Sequence, residues 1–291
     1  MLRPLLAALL SIMVSSPALS HDHASVSVMS FNIRYGTAND GGDRWPLRED
    51  LALGVFEQRQ ADVVGVQEAL GFQIDAITNA HAQYGVVGVG RDDGRTKGEF
   101  SAILYRTDRF AVDASGTFWL SDTPDVIASA TWGNGITRIC TWARLIERAS
   151  GRALYVFNTH FDHQSQPSRE RSARLIAERI AVREHADPVV LMGDFNAGEA
   201  NPAMTFLTER GGDAAGPGLI DTYRVIHPDE PRAGTFNAFR GDREGERIDA
   251  ILVSEGIRVL DADIDRTNTK GRYPSDHFPV WAVIGWPSED E

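Results

Sequence analysis

The chain has 291 residues, 42% hydrophobic, enough to bury a sizeable core in one large domain or two small ones. Its formal net charge of -12 argues against a protein that grips long nucleic acid through its phosphates, since that takes a basic surface. Cys140 is the only cysteine, which excludes an intrachain disulfide, so the fold must stand on its core.

The first 20 residues read as an export signal: Arg3 precedes an apolar run at 5–14, and small residues at 15–20 offer a cleavage site after Ser20. That run is too short to span a bilayer, so a cleaved leader, a periplasmic or secreted protein and no stable membrane anchoring are expected. A single domain is expected over 24–287, because no linker divides it.

Residues 24–31 alternate Val26 and Val28 with small polar residues, a strand that delivers Asn32 and Arg34 to its end. The stretch 35–45 is a loop rich in Gly, Asn and Asp; its Asp40 and Asp43 fit no EF-hand spacing and read as solvated carboxylates. A helix is predicted at 47–58, and a short apolar strand at 62–67 ends at Glu68. A second helix follows, carrying Phe72, Ile74 and Ile77. Strands at 84–89 and 100–105 flank a charged loop at 90–99, and Trp119 in Phe118-Trp119-Leu120-Ser121 reads as core, ahead of the wall of a substrate pocket.

Strands at 137–146 and 153–159 pair around a turn, and the second leads to His160, Asp162 and His163. The span 167–185 is an amphipathic helix with Leu175, Ile176, Ile180 and Val182 inward. A strand at 188–192 leads to Asp194; another at 248–253 carries Asp249 near its start, with 259–264 as its edge neighbour. The turn Tyr273-Pro274-Ser275 and the apolar run 278–284 hold Asp276 and His277 at the mouth of a strand. The mixture of alternating and hairpin-like pairs predicts a mixed α/β fold with polar residues collected at strand ends.

Six of these markers, in order, carry a resemblance: Asn32, Gln67-Glu68, Asn158-Thr159-His160, Gly193-Asp194-Phe195-Asn196, Arg247-Ile248-Asp249 and Ser275-Asp276-His277. The chain after the leader resembles the endonuclease/exonuclease/phosphatase superfamily, to which pancreatic deoxyribonuclease and the inositol polyphosphate 5-phosphatases belong. Stretches 31–36, 118–121, 234–237 and 271–280 look like a bacterial branch of exported hydrolases. The resemblance implies a four-layer α/β sandwich of two packed mixed β-sheets flanked by helices.

It also implies roles. Glu68 would hold a divalent cation, Mg2+ or Mn2+, as one ion or two; Asn32 would support the ion or a phosphate oxygen, and Asp276 would complete the metal environment directly or through water. Asp194 would orient or deprotonate the attacking water, and Asn196 would bind the phosphoryl group. His277 would hydrogen-bond the phosphate or act as general base, with Asp249 fixing its tautomer, and His160 would donate to a phosphate oxygen or assist the leaving group. Arg34, Glu99 and Phe236 are pocket residues by branch similarity, and Asp162, His163 and Arg169 stand as substrate contacts or as structural bonds. Tyr105 reads as core.

The implied activity is an exported, metal-dependent phosphoesterase that cleaves phosphodiesters by in-line attack of an activated water, as a nuclease or small-diester hydrolase. The alternative is a phosphomonoesterase for sugar, inositol or nucleotide phosphates; a silent binding module or toxin subunit is the reading from another class. The retained Glu68, His160, Asp194, Asn196, Asp249 and His277 speak against silence. The expected partner is a phosphate-ester substrate, with no protein partner implied.

Overall fold

The two faces of each central strand are both apolar, and their alternation builds three separate cores. In β1 (Ser25–Asn32), Val26 and Val28 enter one core while Met29 and Phe31 enter another. β7 (Ala153–His160) divides in the same way, Leu154 and Val156 against Tyr155 and Phe157. So does β8 (Val189–Asp194), Val190 and Met192 against Val189 and Leu191. A strand buried on both sides must sit inside a sheet covered on both sides, and the computed structural model, which describes residues 25–209 and 216–287, has two such sheets. The expected leader at 1–20 lies outside the described residues.

The first sheet runs β11 (Arg258–Ile264), β12 (Val280–Gly285), β1, β2 (Val63–Ala69), β4 (Phe100–Arg106), β3 (Tyr84–Val87). The second runs β5 (Phe110–Trp119), β6 (Ile139–Glu147), β7, β8, β10 (Asp249–Val253), β9 (Ile220–Asp221). One core fills the space between the sheets. The other two lie outside, under α1 (Trp45–Arg59) and α2 (Gly71–Ala80) on one side and α3 (Gln166–Ala181) and α4 (Pro202–Thr208) on the other. The result is the four-layer sandwich with mixed sheets: β1–β2 and β7–β8 pair parallel, the other pairs antiparallel.

Polar residues interrupt the inter-sheet core near one end. Gln67 Nε2 donates to Asn158 Oδ1 at 2.6 Å, and Asn158 Nδ2 donates across to the carbonyls of Val66 and Ala102 at 3.0 and 2.8 Å. A Cβ on Gly65 would stand 2.7 Å from Asn158 Oδ1, so glycine is what lets the two sheets share this bond. The alternation that buries Val156 and Met192 places Asn158, His160 and Asp194 on the same inner face, so the seam between the sheets ends in polar groups.

Several boundaries differ from expectation. Residues 258–264 pair with β12 in the first sheet, not with β10, because Ala262 and Ile264 bury in the inter-sheet core from that side; the edge neighbour of β10 is the two-residue β9. β5 covers ten residues where only 118–121 stood out, since its middle is half-exposed and polar. α3 ends at Ala181, and Val182, beyond it, is 77% exposed; Ala173, Ile176 and Ile180 carry the buried face, with Leu175 only partly covered.

Candidate active site

Strand register brings the site together. His160 lies opposite Asp194 in the β7–β8 pair, and Asp194 lies opposite Asp249 in the β8–β10 pair. Asn32 ends β1 beside Gln67 of the parallel β2, so Glu68 follows at the same level. His277 precedes β12 and is bridged to Phe236. Three site residues, Arg34, Glu68 and Asn196, have φ of 55°, 57° and 46°, left-handed values that cost a non-glycine residue about 1 kcal/mol or more and recur at functional sites.

These residues surround a cleft of about 550 Å3, whose lining includes Arg34, Glu68, His160, Asp194, Asn196 and His277. Asp249 is fully buried behind His277, with its Oδ2 2.8 Å from Nδ1. His277 Nε2 lies 3.8 Å from Asp194 Oδ2, and His160 Nε2 lies 3.4 Å from the same oxygen. One carboxylate oxygen therefore faces both imidazoles.

Electrostatics separate the three groups. Burial, reinforced by the Asp249 charge, raises Asp194 to about 7 against the pull of His277, the Asn196 N–H and the Asn32 amide. Burial alone would discharge His277, but Asp249, Asp194 and Asp276 outweigh it and hold the imidazolium well above its usual range. His160 is pushed well below its usual range by burial and by the positive charges of Arg138, Arg91 and His277, so it is neutral.

Asn32 proves to be a bridge. Its Nδ2 donates to Glu68 Oε1 at 3.1 Å and to Asp194 Oδ2 at 2.9 Å, while its Oδ1 accepts from the Arg34 N–H at 3.0 Å. Its amide nitrogen thereby orients two carboxylates, and its oxygen, with a second lone pair left, can still meet a cation or a donor. Glu68 Oε2 accepts from the Tyr35 N–H at 3.0 Å. Arg34 stands 3.9 Å from Glu68 and 3.6 Å from Asp276 and is gripped by both oxygens of Asp40 at 2.9 and 3.0 Å. Asp40 is thus a paired carboxylate, not the solvated one its loop suggested.

Glu68 and Asp276 suit a hard divalent cation: both are oxygen donors at the cleft, and burial together with the Glu68 charge raises the Asp276 carboxyl, a strain that a cation relieves. Asp194, Asp249 and His277 also bring one ligand atom each within 4.8 Å of one another. His277 Nε2 faces Asp194 while Nδ1 is bonded to Asp249, and Asp249 Oδ1 is buried without a hydrogen-bond partner among the described residues.

Of the remaining expected contacts, His163, Phe236 and Glu99 line the cleft, Glu99 in a two-bond pair with Arg91. Asp162 and Arg169 do not line it. Asp162 Oδ1 accepts from the N–H groups of Gln164 and Ser165, and Arg169 holds the Asp162 carbonyl and Gln166. The chain turns after His160 instead of continuing as a strand, which takes Asp162 off the face it would have shared. Sequence reading missed Arg138, 3% exposed at the cleft, 3.1 Å from His163 Nδ1 and 3.7 Å from Asp162. It also missed Arg91 and Glu246 on the walls, and the fully buried Arg48, which bonds the carbonyls of Arg34 and Pro274.

The sequence model described as the endonuclease/exonuclease/phosphatase family matches residues 29–277. An endonuclease/exonuclease/phosphatase of Bacteroides vulgatus is 33% identical and covers 90% of this chain and 99% of its own, with a TM-score of 0.80. A mannosyl-6-phosphatase of Bacteroides thetaiotaomicron is 32% identical, covering 90% of this chain and 100% of its own, also at 0.80. The human nocturnin catalytic domain, at 18% identity over 90% of this chain and 94% of its own and a TM-score of 0.70, shares the fold. An uncharacterised protein of Acanthamoeba polyphaga mimivirus is 28% identical over 161 residues, 53% of this chain; the match spans 59% of that protein's length.

Proposed function

The chain belongs to the endonuclease/exonuclease/phosphatase family, and from that premise we propose that it is an exported, divalent-cation-dependent hydrolase of small phosphomonoesters, sugar phosphates foremost. The cleft carries the choice of a small substrate. Its floor offers a set of phosphate donors around His277 and His160, and its walls carry the Glu246 carboxylate and the Glu99–Arg91 pair. Glu246, with no cation paired to it among the described residues, and a chain net charge of -12 disfavour the flanking phosphates of a polynucleotide and tolerate an uncharged leaving group. The likeness to a mannosyl-6-phosphatase supports a monoester over the diester, and the leader-like first 20 residues support export.

In the proposed reaction Asp194, which ionises near neutrality, takes a proton from the attacking water while Asn32 holds its other neighbour, Glu68, in place. His277, kept charged by Asp249, presents Nε2–H to the phosphoryl oxygens; of the two roles implied for it, its protonation favours donor over base. His160 is a neutral donor on the opposite side of Asp194. Asn196, its amide pinned by the Phe161 carbonyl at 3.0 Å, completes the floor. A Mg2+ or Mn2+ held by Glu68 and Asp276 supplies, when bound, charge neutralisation at the phosphoryl oxygens.

Parallel hydrolysis of a hexose 6-phosphate and of bis(p-nitrophenyl) phosphate, with Mg2+, with Mn2+ and with chelator, tests this. Cation-dependent turnover of the monoester, abolished in Asp194→Ala, is expected. Preference for the diester would replace the reading with a phosphodiesterase.

A further inference from the structure

Phe236 is 46% exposed, and its ring stands edge-on to His277 with centroids 5.2 Å apart. This is not a loosely attached side chain. The Thr235 carbonyl accepts from the Phe278 N–H at 2.8 Å, and the Asp276 carbonyl accepts from the N–H groups of Asn237 and Ala238 at 2.7 and 3.0 Å. The backbone thus fixes a half-exposed aromatic ring at the cleft beside the group that meets the phosphate. Exposing such a ring costs free energy that a ligand's apolar face recovers.

Glu246 stands on the same folded-back segment. The Thr235 N–H reaches the Glu246 carbonyl at 3.4 Å, and the Gly234 N–H the Arg243 carbonyl at 3.2 Å, so residues 234–236 and 243–246 run side by side. The Glu246 side chain lies over Gly198, two residues beyond Asn196: a Cβ there would stand 2.5 Å from its Cδ and 2.6 Å from Oε1. The missing side chain at 198 leaves the room in which that carboxylate rests. It lines the cleft and has no ion pair or hydrogen bond of its own among the described residues.

We infer that Phe236 and Glu246, seated on Gly198, form the leaving-group subsite, and that it takes a ring-shaped polyol: an apolar C–H face against the Phe236 ring and a hydroxyl donating to Glu246. A carboxylate acceptor rewards a neutral hydroxyl and penalises a second phosphate. The inference rests on the phosphomonoester reading and adds where the alcohol half of the ester is recognised. Ile136, 37% exposed, also lines the cleft.

The test is the ratio of kcat/KM for a hexose 6-phosphate to that for glycerol 3-phosphate, measured with Mg2+ in the wild type, Phe236→Ala, Glu246→Gln and Gly198→Ala. The wild type should prefer the hexose ester, and each substitution should lower the ratio about tenfold, chiefly through KM, the size of a lost hydrogen bond or ring contact. Phe236→Trp should restore most of it. Melting temperatures of all variants separate loss of recognition from loss of fold, and Glu246→Gln, isosteric and at the surface, is the variant that must be folded. A wild type with no preference between the two esters, or folded variants with an unchanged ratio, overturns the subsite while leaving the monoesterase reading standing. A wild type that hydrolyses neither monoester overturns both.

Discussion

The 2.8 Å bond between His277 Nδ1 and Asp249 Oδ2 crosses the seam of the molecule, joining the loop that enters β12 of the first sheet to the head of β10 in the second. The charge of Asp249 keeps His277 protonated, and the bond aims its other nitrogen at the cleft. Asp249→Asn preserves the shape and removes the charge. Its kcat should fall by about 10^2 to 10^4, the range expected when a buried carboxylate no longer sets the state of its histidine. Steady-state rates on whichever ester the wild type cleaves check this, with circular dichroism to show that the fold survives.

Asp194 gives a pH signature of known sign. Its carboxyl, raised to about 7, must ionise to serve as base, so kcat/KM should drop about tenfold for each pH unit below that value. The same shift destabilises the cation-free protein as pH rises. The folded state binds a proton that the unfolded state releases from 3.8 upward, so the contribution is present below that pH and is lost on approach to about 7. Asp194→Asn cannot ionise, and its stability relative to wild type should rise between about pH 4 and 6.5, where unfolded histidine is still charged, at up to about 1.4 kcal/mol per pH unit. Urea unfolding in chelator across that window would show a flat difference if the shift is absent.

Much of this site is legible as strands that end in polar residues. Asn32, Glu68, His160 and Asp194 each follow an apolar run, and period two assigns Asn158, His160 and Asp194 to one face. Loops carry no such period. Arg138, Arg91 and Glu246 reach the cleft only because separate loops meet there, and Asp40 finds Arg34 only because the chain turns left-handed at 34. Asp162 misled for a related reason: period two holds only while the strand lasts, and β7 ends at His160. The half-exposed β5 lacked the apolar alternation that would have announced it.

Arg48 is the largest fully buried side chain among the described residues, and none of its hydrogen bonds there goes to a carboxylate. Its guanidinium donates to the carbonyls of Asp43, Ile33, Pro274 and Arg34 at 2.8 to 2.9 Å, tying the loop after Asn32 to the turn before Asp276. Arg48→Met would leave four acceptors without that donor. A loss of about 3 kcal/mol or more is expected, and Arg48→Lys, which can reach some of them, should lose less. Chemical denaturation measures both. Equal stability of Arg48→Met and wild type would mean that water or a rearranged loop satisfies those carbonyls.

Glu68 and Asp276 make a prediction about the cation that needs no substrate. Each is a hard oxygen donor, and both face the Arg34 guanidinium, whose positive charge already occupies part of their field. Neutralising one carboxylate by Glu68→Gln or Asp276→Asn should weaken Mn2+ binding about tenfold or more, because each substitution deletes a full charge from the ligand set. His160→Ala, which removes no negative charge, should change that affinity far less. Calorimetric titration of the chelator-treated protein with Mn2+ distinguishes the two kinds of variant. If Asp194→Asn and Asp249→Asn weaken binding while Glu68→Gln does not, the ion sits instead among Asp194, Asp249 and His277, whose ligand atoms lie within 4.8 Å of one another. Binding lost in both sets would mean two ions, one on each side of the Asn32 amide that joins Glu68 to Asp194.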